Sequence, residues 1–108
     1  MAYFDLKRSV NQYMFNLRGD NHEVMLTSER YTTKQSAQEG IASVKLNASY
    51  DSKYRRLTSL SQKPYFTLAG ANGEVLGTSE PYSSSSARDA GIESVKKGAP
   101  SAPTKDNT

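Results

Sequence analysis

The chain has no cysteine, no tryptophan and a single histidine, and its charges nearly cancel. Without cysteine it has no disulfide, no thiolate metal site and no cysteine nucleophile. His22 has no second imidazole to share a metal and no partner base nearby in sequence, which argues against a His-based zinc site and a Ser-His-Asp triad. It falls in a predicted hairpin tip, where a turn role is the simpler reading. No early apolar run reaches signal-peptide or membrane-spanning length, so the expectation is a cytoplasmic protein with no membrane partner. The net charge is +3, with 7 basic and 6 acidic residues up to Lys53 and 7 and 5 from Tyr54 onward. Neither half is a basic arm, so nucleic acid is allowed as a partner but not favoured.

What is present is a repeat. Tyr3 to Lys45 aligns with Tyr54 to Lys96 at a constant offset of 51 without a gap, and 17 of the 43 aligned positions are identical. A unit of about 45 residues without metal or disulfide is too small to bury a stable core alone, so the two copies are expected to share one.

Each copy opens with strand-like alternation. Phe4 and Leu6 share a face, then Tyr13, Phe15 and Leu17; the second copy offers Leu57, Phe66 and Leu68. Gly19-Asp20-Asn21-His22 and Gly70-Ala71-Asn72-Gly73 read as tight primed hairpin turns. A third strand follows, Glu23 to Ser28 and Glu74 to Ser79. Its inward face is ambiguous, because Val24 and Leu26 compete with Met25 and Thr27, and Gly77 aligns with Leu26.

The period then changes to that of a helix. Ala37, Gly40, Ile41, Val44 and Ala48 fall on one face, with Lys34, Gln38, Glu39 and Lys45 outside it. Thr32 and Thr33 are N-cap candidates, with Gln35 completing a capping box for Thr32, and Ser83 or Ser84 caps the second helix. A mid-helix glycine costs about 1 kcal/mol relative to Ala; its presence in both copies, Gly40 and Gly91, suggests close packing on a sheet. The order βββα twice predicts an α+β fold with one mostly antiparallel sheet, two helices on one face and pseudo-twofold symmetry. Residues 1–97 form a single domain from repeats 3–48 and 54–97 joined by a linker at 49–53, and 98–108 are expected to be a flexible tail with little to bury.

The run Leu26 to Lys34, Leu-Thr-Ser-Glu-Arg-Tyr-Thr-Thr-Lys, and Gly-Ile-Ala-Ser-Val-Lys at Gly40 to Lys45 resemble the YegP-like family of small bacterial proteins. Thr78-Ser79-Glu80-Pro81-Tyr82, Gly91 to Lys96 and the closing Lys105-Asp106-Asn107-Thr108 extend the likeness over nearly the whole chain. The resemblance implies a unit used either in tandem or as one copy that dimerises, and a fold like the shared sheet above. It carries over no catalytic residue, because the family is functionally uncharacterised.

Two sets of side chains remain as candidates. Met14, Tyr65 and Thr67 should point away from the helices beside Arg55 and Arg56, giving an aromatic and basic face able to stack single-stranded bases, although solvated sheets commonly carry such residues. Glu29 and Glu80, at the strand-to-helix junctions, could form a carboxylate pair for a cation or small ligand; capping of the helix N-termini is the simpler role. Gly19 and Gly70 lack a following Gly-Lys-Ser/Thr and read as turns, and Ser83 to Ser86 read as redundant caps. The sequence therefore points to a non-enzymatic domain without cofactor, a monomer with internal pseudo-symmetry, whose partner is another protein held by the exposed sheet face or an open strand edge. Single-stranded nucleic acid is the alternative, and a ligand or cation at the junctions a weaker one.

Overall fold

The computed structural model of the chain describes residues 1–108. The first repeat supplies β1 (Tyr3–Ser9), β2 (Gln12–Arg18), β3 (Val24–Ser28) and α1 (Lys34–Asn47), and the second supplies β4 (Tyr54–Thr58), β5 (Pro64–Ala69), β6 (Val75–Thr78) and α2 (Ser85–Gly98). A further strand, β7 (Thr104–Asn107), closes the chain. All seven form one sheet in the order β4-β5-β6-β3-β2-β1-β7, antiparallel except where β7 joins β1. The pseudo-twofold axis passes between β3 and β6, where Thr27 faces Thr78 and Ser28 faces Gly77.

One continuous core lies under both helices. Phe4, Leu6, Phe15, Leu17, Leu26, Phe66, Leu68 and Leu76 project from the sheet against Ala37, Ile41, Val44, Ile92 and Val95 of the helices. α1 packs on β5 and β6 of the other repeat as well as on β1 and β2, so the core is shared. The paired glycines have the reason inferred for them. The Tyr31 hydroxyl end lies over Gly40, where a Cβ would meet the ring carbon bearing that hydroxyl at 2.8 Å, and Tyr82 covers Gly91 in the same way at 2.7 Å. Each tyrosine also stacks on the phenylalanine of its own repeat, Phe15 or Phe66, at 6.2 Å between ring centroids.

The third strand resolves its own ambiguity by bulging. The register shifts at Leu17/Arg18 and again at Leu68/Ala69, leaving Met25 and Leu76 as extra residues. Met25 and Leu26 are therefore both buried. At the axis the two copies must differ: a Cβ on Gly77 would stand 3.4 Å from the Leu26 side chain, so Leu26 fills space that a second leucine would need.

The outer strands overturn the gapless alignment. Phe4 faces Leu17, but Leu68, the counterpart of Leu17, is faced by Tyr54 and not by Arg55. The first repeat turns from β1 to β2 through Val10 and Asn11 alone, both at positive φ (44° and 63°), whereas Thr58 and Pro64 are joined by a longer loop. That loop carries the compensating residue, so Phe4 corresponds to Tyr54. Lys45 lies over the Phe4 ring at 5.7 Å and Lys96 over the Tyr54 ring at 5.8 Å, which fixes the correspondence independently. The matches of Tyr3 with Tyr54 and Leu6 with Leu57 are coincidences of composition, and Leu57 faces outward opposite Tyr65.

Three further expectations change. The segment 98–108 is ordered: Ala99 and Ala102 enter the core, the Phe4 N–H donates to the Pro103 carbonyl at 2.8 Å, and β7 runs parallel to β1. No apolar pattern marks β7, because its hold is main-chain pairing together with Asn107 Nδ2 donating to Asp5 at 2.7 Å and a Lys34–Asp106 ion pair at 2.6 Å. The hairpin tips are not two-residue primed turns. Gly73 N–H donates to the Gly70 carbonyl and His22 N–H to that of Gly19, placing Gly73 (φ 85°) and His22 (φ 61°) in the left-handed position that ends a three-residue loop. Thr33 caps α1 by accepting from Ser36 N–H, with no capping box to Thr32, and Ser84 caps α2 by accepting from Ala87 N–H.

Candidate interaction surface

The face of the sheet away from the helices carries no covering element. Cross-strand partners place Arg55, Thr67, Thr78, Thr27, Asn16, Asp5 and Lys105 in one row over all seven strands. Near the axis this row nearly mirrors itself, with Asn16 answering Thr67 and Thr27 answering Thr78. Asn16 Nδ2 donates to Thr27 Oγ1 at 3.0 Å. Asp5 accepts from Arg18 Nε at 3.0 Å and Asn107 at 2.7 Å, with Lys7 at 3.8 Å. Its burial opposes ionisation, but the bonds from Asn107 and Arg18 and the Lys7 charge outweigh it and hold the carboxyl below the usual range.

The predicted aromatic and basic face is only partly assembled. Tyr65, Thr67 and Arg55 share the open face, with Thr67 buried and Arg55 exposed without an ion pair. Met14 is on the same face but on the other side of the polar row, because β2 and β5 run in opposite directions. Arg56 is not on it: opposite Phe66, it points to the helix side and binds Asp51 at 3.1 Å and Asp89 at 3.3 Å. The one-residue shift of β4 is the cause, and the longer β4–β5 loop was the signal in the sequence that could have revealed it.

Glu29 and Glu80 are exposed, and neither caps a helix, since Thr33 and Ser84 do. Their neighbouring serines hold the junctions. Ser28 Oγ accepts from Phe15 N–H at 2.9 Å and donates to the Glu29 carbonyl at 2.7 Å; Ser79 does the same for Phe66 and Glu80 at 3.0 and 2.9 Å. Burial first, then Glu74 and Glu29, raise the Tyr31 hydroxyl, and burial, Glu23 and Glu80 raise that of Tyr82. No three His, Cys, Asp or Glu side chains come together as a metal-binding group. His22 is exposed and bonds through Nδ1 to the Tyr3 hydroxyl at 2.7 Å.

A groove of about 660 Å³ runs beside α2, lined by Ala87, Ala90, Gly91 and Ser94 with Tyr82 and Met25. The ion pair between the Met1 amino group and Asp20, 2.5 Å, stands at its edge.

These features define a two-repeat α+β protein with one uncovered sheet face. Residues 9–54 and 60–106 match the family described as "Domain of unknown function (DUF1508)", the segments running from the end of β1 into β4 and from the β4–β5 loop into β7. The chain belongs to this family, known in bacteria as UPF0339 and including YegP. It is 59% identical over 107 residues to a UPF0339 protein of Bordetella pertussis, covering 99% of this chain and 96% of the relative. Escherichia coli YegP is 44% identical over 108 residues, covering 99% and 98%. The solution NMR structure of that protein of unknown function superposes with a TM-score of 0.92 over 99% of this chain and 93% of its own. The Shewanella oneidensis UPF0339 protein, 42% identical, gives 0.91 over 97% and 90%. No helix is long and apolar enough to cross a membrane.

Proposed function

We propose that the protein is a cytoplasmic, non-enzymatic module that binds another protein through its open sheet face or a strand edge. The observation that carries this reading is the uncovered face itself, with hydroxyl and amide side chains along its centre, Tyr65 and Leu57 to one side and Met14 to the other. Such a mixture of apolar anchors and hydrogen-bonding groups suits a protein surface. Single-stranded nucleic acid is less well supported: Arg18 and Lys7 are turned to Asp5, and Arg56 to Asp51 and Asp89, so few free cations remain to displace counterions.

A labelled mixed-sequence oligonucleotide, titrated at two salt concentrations into wild type and Tyr65→Ala, tests the choice. The expected result is no binding at micromolar protein. Micromolar or tighter binding, lost with both salt and the Tyr65 ring, would make the face a nucleic-acid platform, since one stacked base is worth roughly 1–3 kcal/mol. A photo-crosslinking residue at position 65 should give nuclease-resistant protein adducts in cells, and one at exposed Leu46 on α1 should not.

A further inference from the structure

The two ends of the sheet are not equivalent. At one end, β7 lies parallel to β1 with Lys105 opposite Asp5, and the Asn107 side chain bonds to the same carboxylate. The pseudo-twofold turns β1 into β4, since Phe4 and Tyr54 occupy corresponding places against β2 and β5. The same rotation turns the place held by β7 into the outer edge of β4. That edge has no strand beside it: β4 pairs with β5 alone, and beyond that ladder only the Tyr54 N–H is engaged, donating to the Asp51 carbonyl of the preceding turn. The residue corresponding to Asp5 is Arg55, exposed and without an ion pair, and Lys53 beside it has none either.

We propose that the outer edge of β4 is a docking strand for an acidic extended segment of a partner protein, which adds parallel to β4 as an eighth strand. This deepens the protein-binding reading and rests on it. Main-chain pairing along a free edge supplies attraction whatever the sequence. The sign of the partner follows from charge: where Asp5 faces a lysine of β7, Arg55 calls for Asp or Glu at the equivalent position of the incoming strand. Opposite charges across a strand pair stabilise it and like charges do the reverse. The same argument disfavours a second copy paired edge to edge through β4, which would bring the unpaired Lys53 and Arg55 against their own kind.

The test is an NMR titration of the isotope-labelled full chain with two synthetic octapeptides of alternating valine and charged residues, one with glutamate and one with lysine, up to millimolar concentration. The glutamate peptide should shift amides of Arg55 to Thr58 and slow their hydrogen exchange. A spin label at the peptide N-terminus should broaden the β4 start more than its end. Arg55→Glu, an exposed change that leaves the fold intact, should weaken the glutamate peptide at least tenfold and admit the lysine peptide. Equal binding of both peptides by wild type, shifts centred on β7, or no binding of either would overturn the proposal. Shifts confined to Tyr65 and Thr67 would overturn the edge while sustaining the face, and the protein-binding reading itself is removed by nucleic-acid binding in the oligonucleotide titration or by the absence of protein adducts at position 65.

Discussion

The two repeats agree where they meet the helices and differ where they meet each other and the solvent. Both place a tyrosine over a helical glycine, a serine under a neighbouring strand's N–H, and a lysine over the ring of the outer strand. These contacts lie within one repeat, so a duplicated sequence satisfies them twice. The axis cannot be satisfied twice, because two identical leucines at positions 26 and 77 would compete for one volume, and the second copy has glycine there. The edges differ because β7 covers β1, while nothing follows β4 on its outer side. Symmetry persists in local contacts and breaks where both copies claim the same space.

The largest break is to part the copies. Residues 1–50 and 51–108 expressed separately should be disordered or dimeric, since α1 rests on β5 and β6 as well as its own strands and half the chain buries too little to offset chain entropy. A well-dispersed NMR spectrum from a monomeric half would show that the core is not shared. Next comes the axis. Leu26→Ala should cost about 2–5 kcal/mol in urea unfolding, and Gly77→Leu about 1–3 kcal/mol by overpacking. The exchange Leu26→Gly with Gly77→Leu should recover part of both losses, the non-additivity expected of residues sharing one space.

The helical glycines should give a smaller and graded response. Gly40→Leu should destabilise by about 1–3 kcal/mol, more than any gain in helix propensity returns. Gly91→Leu should cost less, because Gly91 is only half-buried and opens on the groove. A rise in melting temperature for Gly40→Leu would mean its face of the helix is not packed.

The smallest effect probes the pairing of Phe4 with Tyr54. The Tyr54 hydroxyl donates to the Ala48 carbonyl at 2.6 Å, and burial, then Glu93 and Asp51, push its pKa up. A folded-state pKa raised above the unfolded value of about 10 gives stability that is complete below that pH and lost as pH rises further. Tyr54→Phe should cost about 1 kcal/mol at neutral pH and flatten the alkaline loss measured by urea unfolding between about pH 9 and 11. Tyr31 and Tyr82, also raised, keep it from vanishing.

The helices, the shared core and the paired glycines were legible in the sequence because they depend on periodicity and on residues each repeat carries itself. The β4 shift was hidden because Tyr54 and Leu57 happened to match Tyr3 and Leu6, and identity outweighed the longer loop after Thr58. That error placed Arg56 on the open face. β7 was missed because Thr-Lys-Asp-Asn has no apolar alternation, and a strand held by main-chain bonds to β1 shows itself only once its neighbour is in place. Of the candidate surface, the directions of Met14, Tyr65 and Thr67 followed from alternation, whereas their separation across the polar row depended on strand directions that no single segment reveals.

The order in which these strands are made gives β7 another meaning. The side chains of Asp5 and Asn107 bond across 102 positions of the chain, so β7, made after both repeats, covers the first strand made. Until then β1 has emerged with its outer edge bare, in a nascent chain whose other strands can already pair, and an unpaired edge invites association with other chains. Closure by β7 therefore waits until both repeats have been made. A chain cut before Thr104 would keep the β1 edge open throughout its life and should persist as an aggregation-prone species even with both repeats folded.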